Sequence, residues 1–328
     1  MVEKKVGIIG LGKYLPENRL TNKDLEKIVN TTDEWIESRT GIKERRIARD
    51  GEATSDMAVR AAKAALENAG LAATDIGLII VATITPDMFF PATACIVQEK
   101  LGIKGVPAFD LSVACSGFMY GIAIAEQFIK SGAYKHVLVI AAEKMSSVTD
   151  WKDRSTCVLM GDGAGAAILG EVKEGGILSV YLGADGSKGD LLKMPAGGSR
   201  LPASVSTVET RMHYLKMQGN ELFKHAVRIM AEAALKATEP LGLKGDDISL
   251  VIPHQANVRI LNAVAKRMGI DPAKKLYLNI DKYGNMSAAS SAVALTEAVE
   301  EGRVKKGDII LLDAFGAGLT WGAIVIKW

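Results

Sequence analysis

A repeat at about half the chain length restricts the folds open to this sequence more than any other feature. The run MAVRAAKAALENAGLAATDIGLIIVAT, from Met57, aligns with HAVRIMAEAALKATEPLGLKGDDISLVIPHQ, from His225, with a small insertion before the Gly-Leu pair. In both copies a helical period leads into a short apolar strand. Each half then closes with a Gly-rich turn into an apolar strand, GDGAGAAIL at 161–169 and FGAGLTWGAIVI at 315–326. Two copies of one α/β unit are the simplest account. The plainer alternative is that any amphipathic helix followed by a strand looks like any other.

The rest of the chain keeps the same alternation. Strand-like runs fall at 77–84, 107–113, 137–142, 248–252 and 308–314, and amphipathic segments at 55–70, 116–131, 220–238, 256–268 and 287–301, with Ala, Glu, Lys and Arg at surface positions. This predicts an α/β fold with mostly parallel central strands. No Pro/Ser-rich linker divides the chain, so two halves, 1–172 and 173–328, are expected to share one core. Segment 186–218 is polar and Gly-rich and reads as a long surface excursion.

Composition narrows the function. Forty Lys+Arg against 38 Asp+Glu give a formal charge of +2, and aromatics make up 5% of the 328 residues. Neither a field for a polyanion nor stacking surfaces for bases follow, so a nucleic-acid partner is not expected. Cys95, Cys115 and Cys157 are an odd, widely spaced set, which suits a reducing compartment. The apolar run near the start lacks a cleavage site of small residues, and no stretch reaches the ~18 apolar residues of a membrane span. The chain reads as cytoplasmic, with no membrane partner.

Several motifs fail on inspection. GIIGLG at 7–12 has its glycines in the order GxxGxG, and Tyr14-Leu15-Pro16 follow where a phosphate-binding helix should start, so it reads as a strand-end turn. GDGAGA at 161–166 is followed by a β-rich run. The four histidines, at 136, 213, 225 and 254, have no metal-ligand spacing, so no metal and no cofactor is expected.

Cys115 stands apart. It follows PAFDLSVA and precedes SGFMYGIAIAEQFIKSG, a strand-to-helix turn at the positive end of a helix dipole, where a thiolate is favoured. A small buried core thiol is the ordinary alternative, and it is the reading preferred for Cys95 and Cys157. His254 ends the strand ISLVIP, at the carboxyl edge where parallel strands deliver catalysts, although a lone His is commonly structural. Asn285 lies in KYGNMSAAS, between the strand-like LYLNI and a helix. Cys, His and Asn at corresponding edges of repeated units form a constellation for thiol nucleophilic chemistry.

AFDLSVACSGFMYGI, VIPHQANVRI, KYGNMSAAS and FGAGLTWG resemble the defining segments of β-ketoacyl-acyl carrier protein synthase III, in the thiolase superfamily. TTDEWIESRTGIKERRIA, DRSTCVLMGDGAGAAIL and MQGNELFKHAV extend the similarity from Gly7 to Trp328. The resemblance implies a duplicated five-layer αβαβα sandwich, active as a homodimer. It implies a multifunctional acyltransferase that starts fatty acid biosynthesis by condensing an acyl-coenzyme A primer, usually acetyl-coenzyme A, with malonyl-acyl carrier protein. Cys115 is then the nucleophile and His254 and Asn285 complete the triad, with the backbone N–H groups of Cys115 and Ala317 as oxyanion hole. Trp35 and Arg154 are implied to hold the adenine of coenzyme A, Arg39 its phosphates, and Phe90 to reach into the partner's acyl pocket.

Carrier-protein contacts are implied at Lys224 and at Gln255, Ala256, Asn257, Val258 and Arg259, with Lys266 further along the same helix face. The sequence departs from the family pattern at Ala317, at Met286, and at Ser291-Ala292. Ala317 keeps the N–H donor, so that departure is tolerable if the local φ is negative; the others put the Asn285 loop in question. Three other readings stay open. The Cys…His…Asn order also fits a papain-like hydrolase, although no CGSCW-type surroundings are present. A related condensing enzyme of polyketide, olefin or branched-lipid formation is the second, and a non-catalytic acyl-binding homologue the third.

Overall fold

The strand-like runs pair into two sheets. In the computed structural model, which describes residues 4–328, the first sheet holds β1 (Val6–Tyr14), β2 (Leu78–Ala82), β3 (Ala108–Leu111), β4 (Val137–Lys144) and β5 (Asp162–Glu171), in the order β1-β5-β4-β2-β3. β2 is parallel to β3 and β4, whereas β5 is antiparallel to both of its neighbours. The second holds β6 (Gly176–Ala184), β7 (Leu250–Pro253), β8 (Ile309–Gly316) and β9 (Thr320–Lys327), in the order β7-β8-β9-β6, with β7 and β8 parallel. Strands β1, β5, β4 and β2 thus have counterparts in β6, β9, β8 and β7, which is the repeat seen in the sequence.

LYLNI lies where the second sheet would carry a copy of β3, but it makes only a single parallel bridge, Val251 to Leu276. The Gln255 side chain takes the Tyr277 carbonyl that a ladder would use (3.2 Å).

The helices are α1 (Asp33–Thr40), α2 (Thr54–Ala69), α3 (Thr93–Lys100), α4 (Gly117–Lys130), α5 (Gly219–Thr238), α6 (Val258–Arg267) and α7 (Ala288–Glu300). α2 and α3 cover the outer face of the first sheet, α5 and α6 the outer face of the second, and α4 and α7 fill the space between. This is the expected five-layer sandwich. Central strands are apolar on both faces because each face meets a helical layer: Val137, Val139 and Ala141 of β4 point inward, and Leu138, Ile140 and Ala142 outward.

Three expectations are corrected. Segments 116–131 and 287–301 are not surface helices. From Ala288 to Ala298 every residue of α7 is buried, because sheets flank it on both sides. GIIGLG is not a strand-end turn but the middle of β1, and Gly10 and Gly12 serve helix packing: a Cβ on Gly12 would lie 2.3 Å from the Ala61 carbonyl of α2. GDGAGAAIL likewise runs inside β5, where Gly165 lets Ala292 of α7 approach. The excursion 186–218 does leave the sandwich, but it folds back, pairing Leu192–Lys193 with Lys216–Met217.

Candidate active site

Cys115 and His254 stand beyond the carboxyl ends of strands, whereas Asn285 follows a helical turn, Ile280–Tyr283, and reaches the same edge through a single bridge to Met160. After β3 the chain makes a tight turn at Ala114–Ser116 and enters α4, with Ala114 held at φ 47° directly before Cys115. His254 follows the last residue of β7, and its N–H donates to the Asp313 carbonyl of the neighbouring strand at 2.7 Å. Asn285 is pinned by its own backbone: its N–H donates to Leu159 O (2.8 Å) and its carbonyl accepts from Gly161 N (3.0 Å). The Met286 side chain is fully buried among Tyr283, Ala289 and Val293, so this departure sits in a packed cluster under a loop that is already tied down.

Cys115, His254 and Asn285 line one cavity of about 830 Å³. Ala317, in the β8–β9 turn, lines it too and does not adopt a positive φ, so the alanine is unstrained. Gly316 before it has to be glycine, since a Cβ there would stand 2.7 Å from Cys115 N. Apolar walls come from Ile84, Met145, Met160, Leu192 and Leu215. The last two belong to the 186–218 excursion, and reading that segment as solvent-facing missed them. The apolar residues of GDLLKMP and HYLKM, set in a polar stretch, were the available signal.

Burial dominates the electrostatics. It pushes the Cys115 thiol up to about 12, with the Glu143 carboxylate adding to the rise and the Ser287 hydroxyl offsetting part of it. Burial thus works against the thiolate that the turn before α4 would favour. Burial alone takes His254 down to about 3, which keeps the imidazole neutral; its Nδ1 has no hydrogen-bond partner. Asp313 is wholly buried, and burial pushes its carboxyl well above the usual carboxylate range, the Ala314 N–H offsetting part of the rise.

At the mouth, Trp35 and Arg39 of α1 line the cavity. The Arg154 guanidinium lies 4.7 Å from the Trp35 ring centroid and that of Arg39 5.8 Å. Arg154 stands behind the indole, its Nη1 donating to Asn30 O at 3.0 Å. Lys224, Ala256, Asn257 and Arg259 line the opposite rim, with Arg259 5.7 Å from the Phe223 ring. Gln255 does not reach this rim. It is fully buried, donating to Pro253 O and accepting from Asn279 N, so its expected surface contact is corrected to a loop brace. Val258 is also turned inward, against Gly41, and Lys266 is exposed outside the cavity. Phe90 lies on the surface, 85% exposed beside Phe89. Cys157 is buried as expected and Cys95 half-buried; neither lines the cavity. Among the described residues no three His, Cys, Asp or Glu side chains cluster as metal ligands, and no helix is long and apolar enough to cross a membrane.

Family models described as 3-oxoacyl-[acyl-carrier-protein] synthase III match residues 109–186, and as its C-terminal part residues 239–328. The β-ketoacyl-[acyl-carrier-protein] synthase III of Caldanaerobacter subterraneus subsp. tengcongensis is 59% identical across 100% of this chain and 99% of the relative, and that of Clostridioides difficile 58% across 99% and 98%. The crystal structure of 3-oxoacyl-[acyl-carrier-protein] synthase III from Aquifex aeolicus VF5 superposes with a TM-score of 0.91 at 53% identity, covering 98% of this chain and all of that one. These likenesses leave no room for a papain-like hydrolase. With identity above one half over the full length and the duplicated sandwich agreeing, the chain belongs to the β-ketoacyl-acyl carrier protein synthase III family of thiolase-fold condensing acyltransferases.

Proposed function

We propose that this chain joins a short acyl-coenzyme A primer, acetyl-coenzyme A first among them, to malonyl-acyl carrier protein, releasing coenzyme A and carbon dioxide and leaving 3-ketoacyl-acyl carrier protein. The observation that carries this reading is the convergence of Cys115, His254 and Asn285 on one cavity with a cation-flanked indole at its mouth. The Cys115 sulfur attacks the primer carbonyl, forming a new C–S bond as the bond to coenzyme A breaks. One thioester replaces another, so the exchange is nearly neutral. Backbone N–H groups of Cys115 and Ala317 receive the oxyanion. The thiol proton leaves during attack, since burial disfavours the free thiolate, and departs on the coenzyme A sulfur.

Malonyl thioester then loses carbon dioxide, and its C–C electrons pass into an enolate. A neutral His254 donates from Nε2 and Asn285 from Nδ2 to the enolate oxygen; an imidazole so reluctant to ionise remains a donor and does not act as a standing cation. The enolate carbon attacks acyl-Cys115, and collapse breaks the C–S bond and expels the Cys115 thiolate, which takes up one proton from solvent to restore the thiol.

Trp35, with Arg154 on one face, takes the adenine of coenzyme A, and Arg39 meets its phosphates. Lys224, Ala256, Asn257 and Arg259 receive the acidic carrier protein. The exposed run Met88, Phe89 and Phe90 supports a homodimer in which Phe90 enters the partner's acyl pocket. Three unpaired cysteines support a cytoplasmic setting, and the halves 1–172 and 173–328 are the duplicated units.

Intact-protein and peptide mass spectrometry after exposure to a panel of acyl-coenzyme A primers tests the reading. One acyl group on the Cys115 peptide is expected, and the panel reports the chain length accepted. Label on Cys95 or Cys157 in its place would overturn the assignment.

A further inference from the structure

The excursion 186–218 delivers Leu215 to the cavity wall, and one buried carboxylate ties it there. Leu215 packs with Met145 and Met160 in a buried apolar cluster, with Leu192 against its edge, and all four line the cavity that holds Cys115. Asp150 lies on the stretch that follows Met145 and is buried. Arg211 Nε donates to Asp150 Oδ2 at 2.9 Å and Arg211 Nη2 donates to Oδ1, a two-pronged pair of the strong kind. Lys216 Nζ adds a contact to Oδ2 at 3.3 Å. The carboxylate is thus gripped from both sides of Leu215, while Leu215 N donates to Val148 O at 2.8 Å.

Arg211 is an uncommon residue for its place in the backbone. The short helix Val205–Glu209 ends in a Schellman turn, with Arg211 N donating to Val208 O (3.0 Å) and Met212 N to Thr207 O (2.9 Å). The left-handed residue that such a turn requires just past its cap is ordinarily glycine. Here it is Arg211, at φ 58°. A non-glycine residue keeps that conformation only where the surroundings hold it, and its guanidinium meets Asp150 and the Tyr214 ring, 4.6 Å from the ring centroid.

We propose that Asp150 and Arg211 are positioning residues for primer selection: their ion pair clamps Leu215 against Met145 and Met160 and so limits the length of acyl chain that Cys115 can carry. Neither residue touches the reacting atoms. The wall they hold belongs to a segment that leaves the sandwich, so its place depends on what ties that segment down. The inference rests on the proposed transfer of a short acyl group to Cys115.

Arg211→Gly removes the guanidinium and puts at φ 58° the residue that the turn favours, so the turn itself is relieved. Asp150→Asn keeps the side-chain shape and removes its charge. Second-order rates of Cys115 acylation are measured by mass spectrometry with acetyl- and octanoyl-coenzyme A. In both variants the octanoyl-to-acetyl ratio should rise about ten-fold over wild type, the order of discrimination that a pocket wall exerts on a methylene or two. A merely structural role would lower both rates together and leave the ratio at its wild-type value. An unchanged ratio in Arg211→Gly would overturn the proposal even if Asp150→Asn folds poorly. Failure of the wild-type Cys115 to take any acyl group would overturn the reading beneath it instead.

Discussion

The Asn257 side chain joins the two rims of the cavity: its Oδ1 caps α6 by accepting from Arg259 N at 2.8 Å, while its Nδ2 donates to the Arg39 carbonyl at 3.0 Å. One residue thus ends the helix that carries Arg259 and holds the end of α1 that carries Arg39. Asn257→Ala should cost about 1 kcal/mol, seen as a lower Tm, through the lost cap. It should also raise KM for the coenzyme A primer, because α1 loses its tether. A melting shift with no change in KM would mean that the tether has no part in substrate binding.

His254 and Asn285 should separate the half-reactions. His254→Ala and Asn285→Ala should still acylate Cys115, while condensation falls about 10²–10³-fold, the usual cost of one preorganised donor. Acyl-enzyme formation by mass spectrometry and ketoacyl product by chromatography measure the two steps. Equal losses in both steps for both variants would show the roles to be wrongly divided.

Gly316 tests the oxyanion geometry. A Cβ there meets Cys115 N at 2.7 Å and Cys115 Cβ at 3.1 Å, so Gly316→Ala must push the β8–β9 turn away from the cysteine. Acylation should fall by about 10²-fold. Gly186→Ala is the control, since a Cβ there meets nothing within 4 Å, and its stability should stay within about 0.5 kcal/mol of wild type. Gly316→Ala acylating at the wild-type rate would refute the close-approach argument.

Two buried groups give opposite pH dependences. Glu143 is raised from 4.5 to about 7, so the folded state binds its proton more tightly and stability falls as pH rises across that window. His254 is lowered from 6.5 to about 3, so the unfolded state takes up the proton first and stability falls as pH drops below 6.5. Glu143→Gln removes only the first dependence. In urea titrations the variant should gain on wild type between pH 5 and pH 8, by an amount on the order of 3 kcal/mol. A constant difference across that range would contradict the buried, uncompensated carboxyl.

Arg259 reports on carrier docking. It is exposed at the mouth beside Lys224, whose Nζ is paired to Glu221 at 2.8 Å, leaving Arg259 as the freer charge. Arg259→Glu should raise KM for malonyl-acyl carrier protein about ten-fold, and added salt should weaken the wild-type interaction. Transfer from acetyl-coenzyme A should change far less. If both substrates suffer alike, the rim is not a docking surface.

Much of this was legible in the chain. Helix and strand periods located α2, α4, α5, α6 and α7 to within about two residues, because burial on one or both faces writes itself into apolar spacing. The half-length repeat anticipated the paired sheets, and strand-end positions singled out Cys115 and His254, since side chains after parallel strands emerge along one edge; Asn285 was placed after a strand-like run that the fold does not pair, and a helical turn brings it to the cavity. Resemblance, and not composition, supplied Trp35, Arg39 and Arg154.

Tertiary structure decided the rest. Whether 116–131 and 287–301 lay on the surface or between sheets depended on what covered their second faces, which no periodicity within a helix records. Gln255 and Arg259 are four residues apart in one motif, yet one is sealed under Tyr277 and the other faces solvent. Gly10 and Gly12 resembled part of a turn because the helix that needs them, with Ala61 and Ala65, lies some fifty residues away. Above all, the charge state of the site was not legible: Cys115 precedes not an exposed helix but one buried between two sheets, and its thiol, like His254 and Glu143, is set by the water that packing excludes. Local sequence specifies which groups a chain carries and how they are spaced, whereas desolvation is a property of everything that surrounds them, so only the assembled fold determines their protonation.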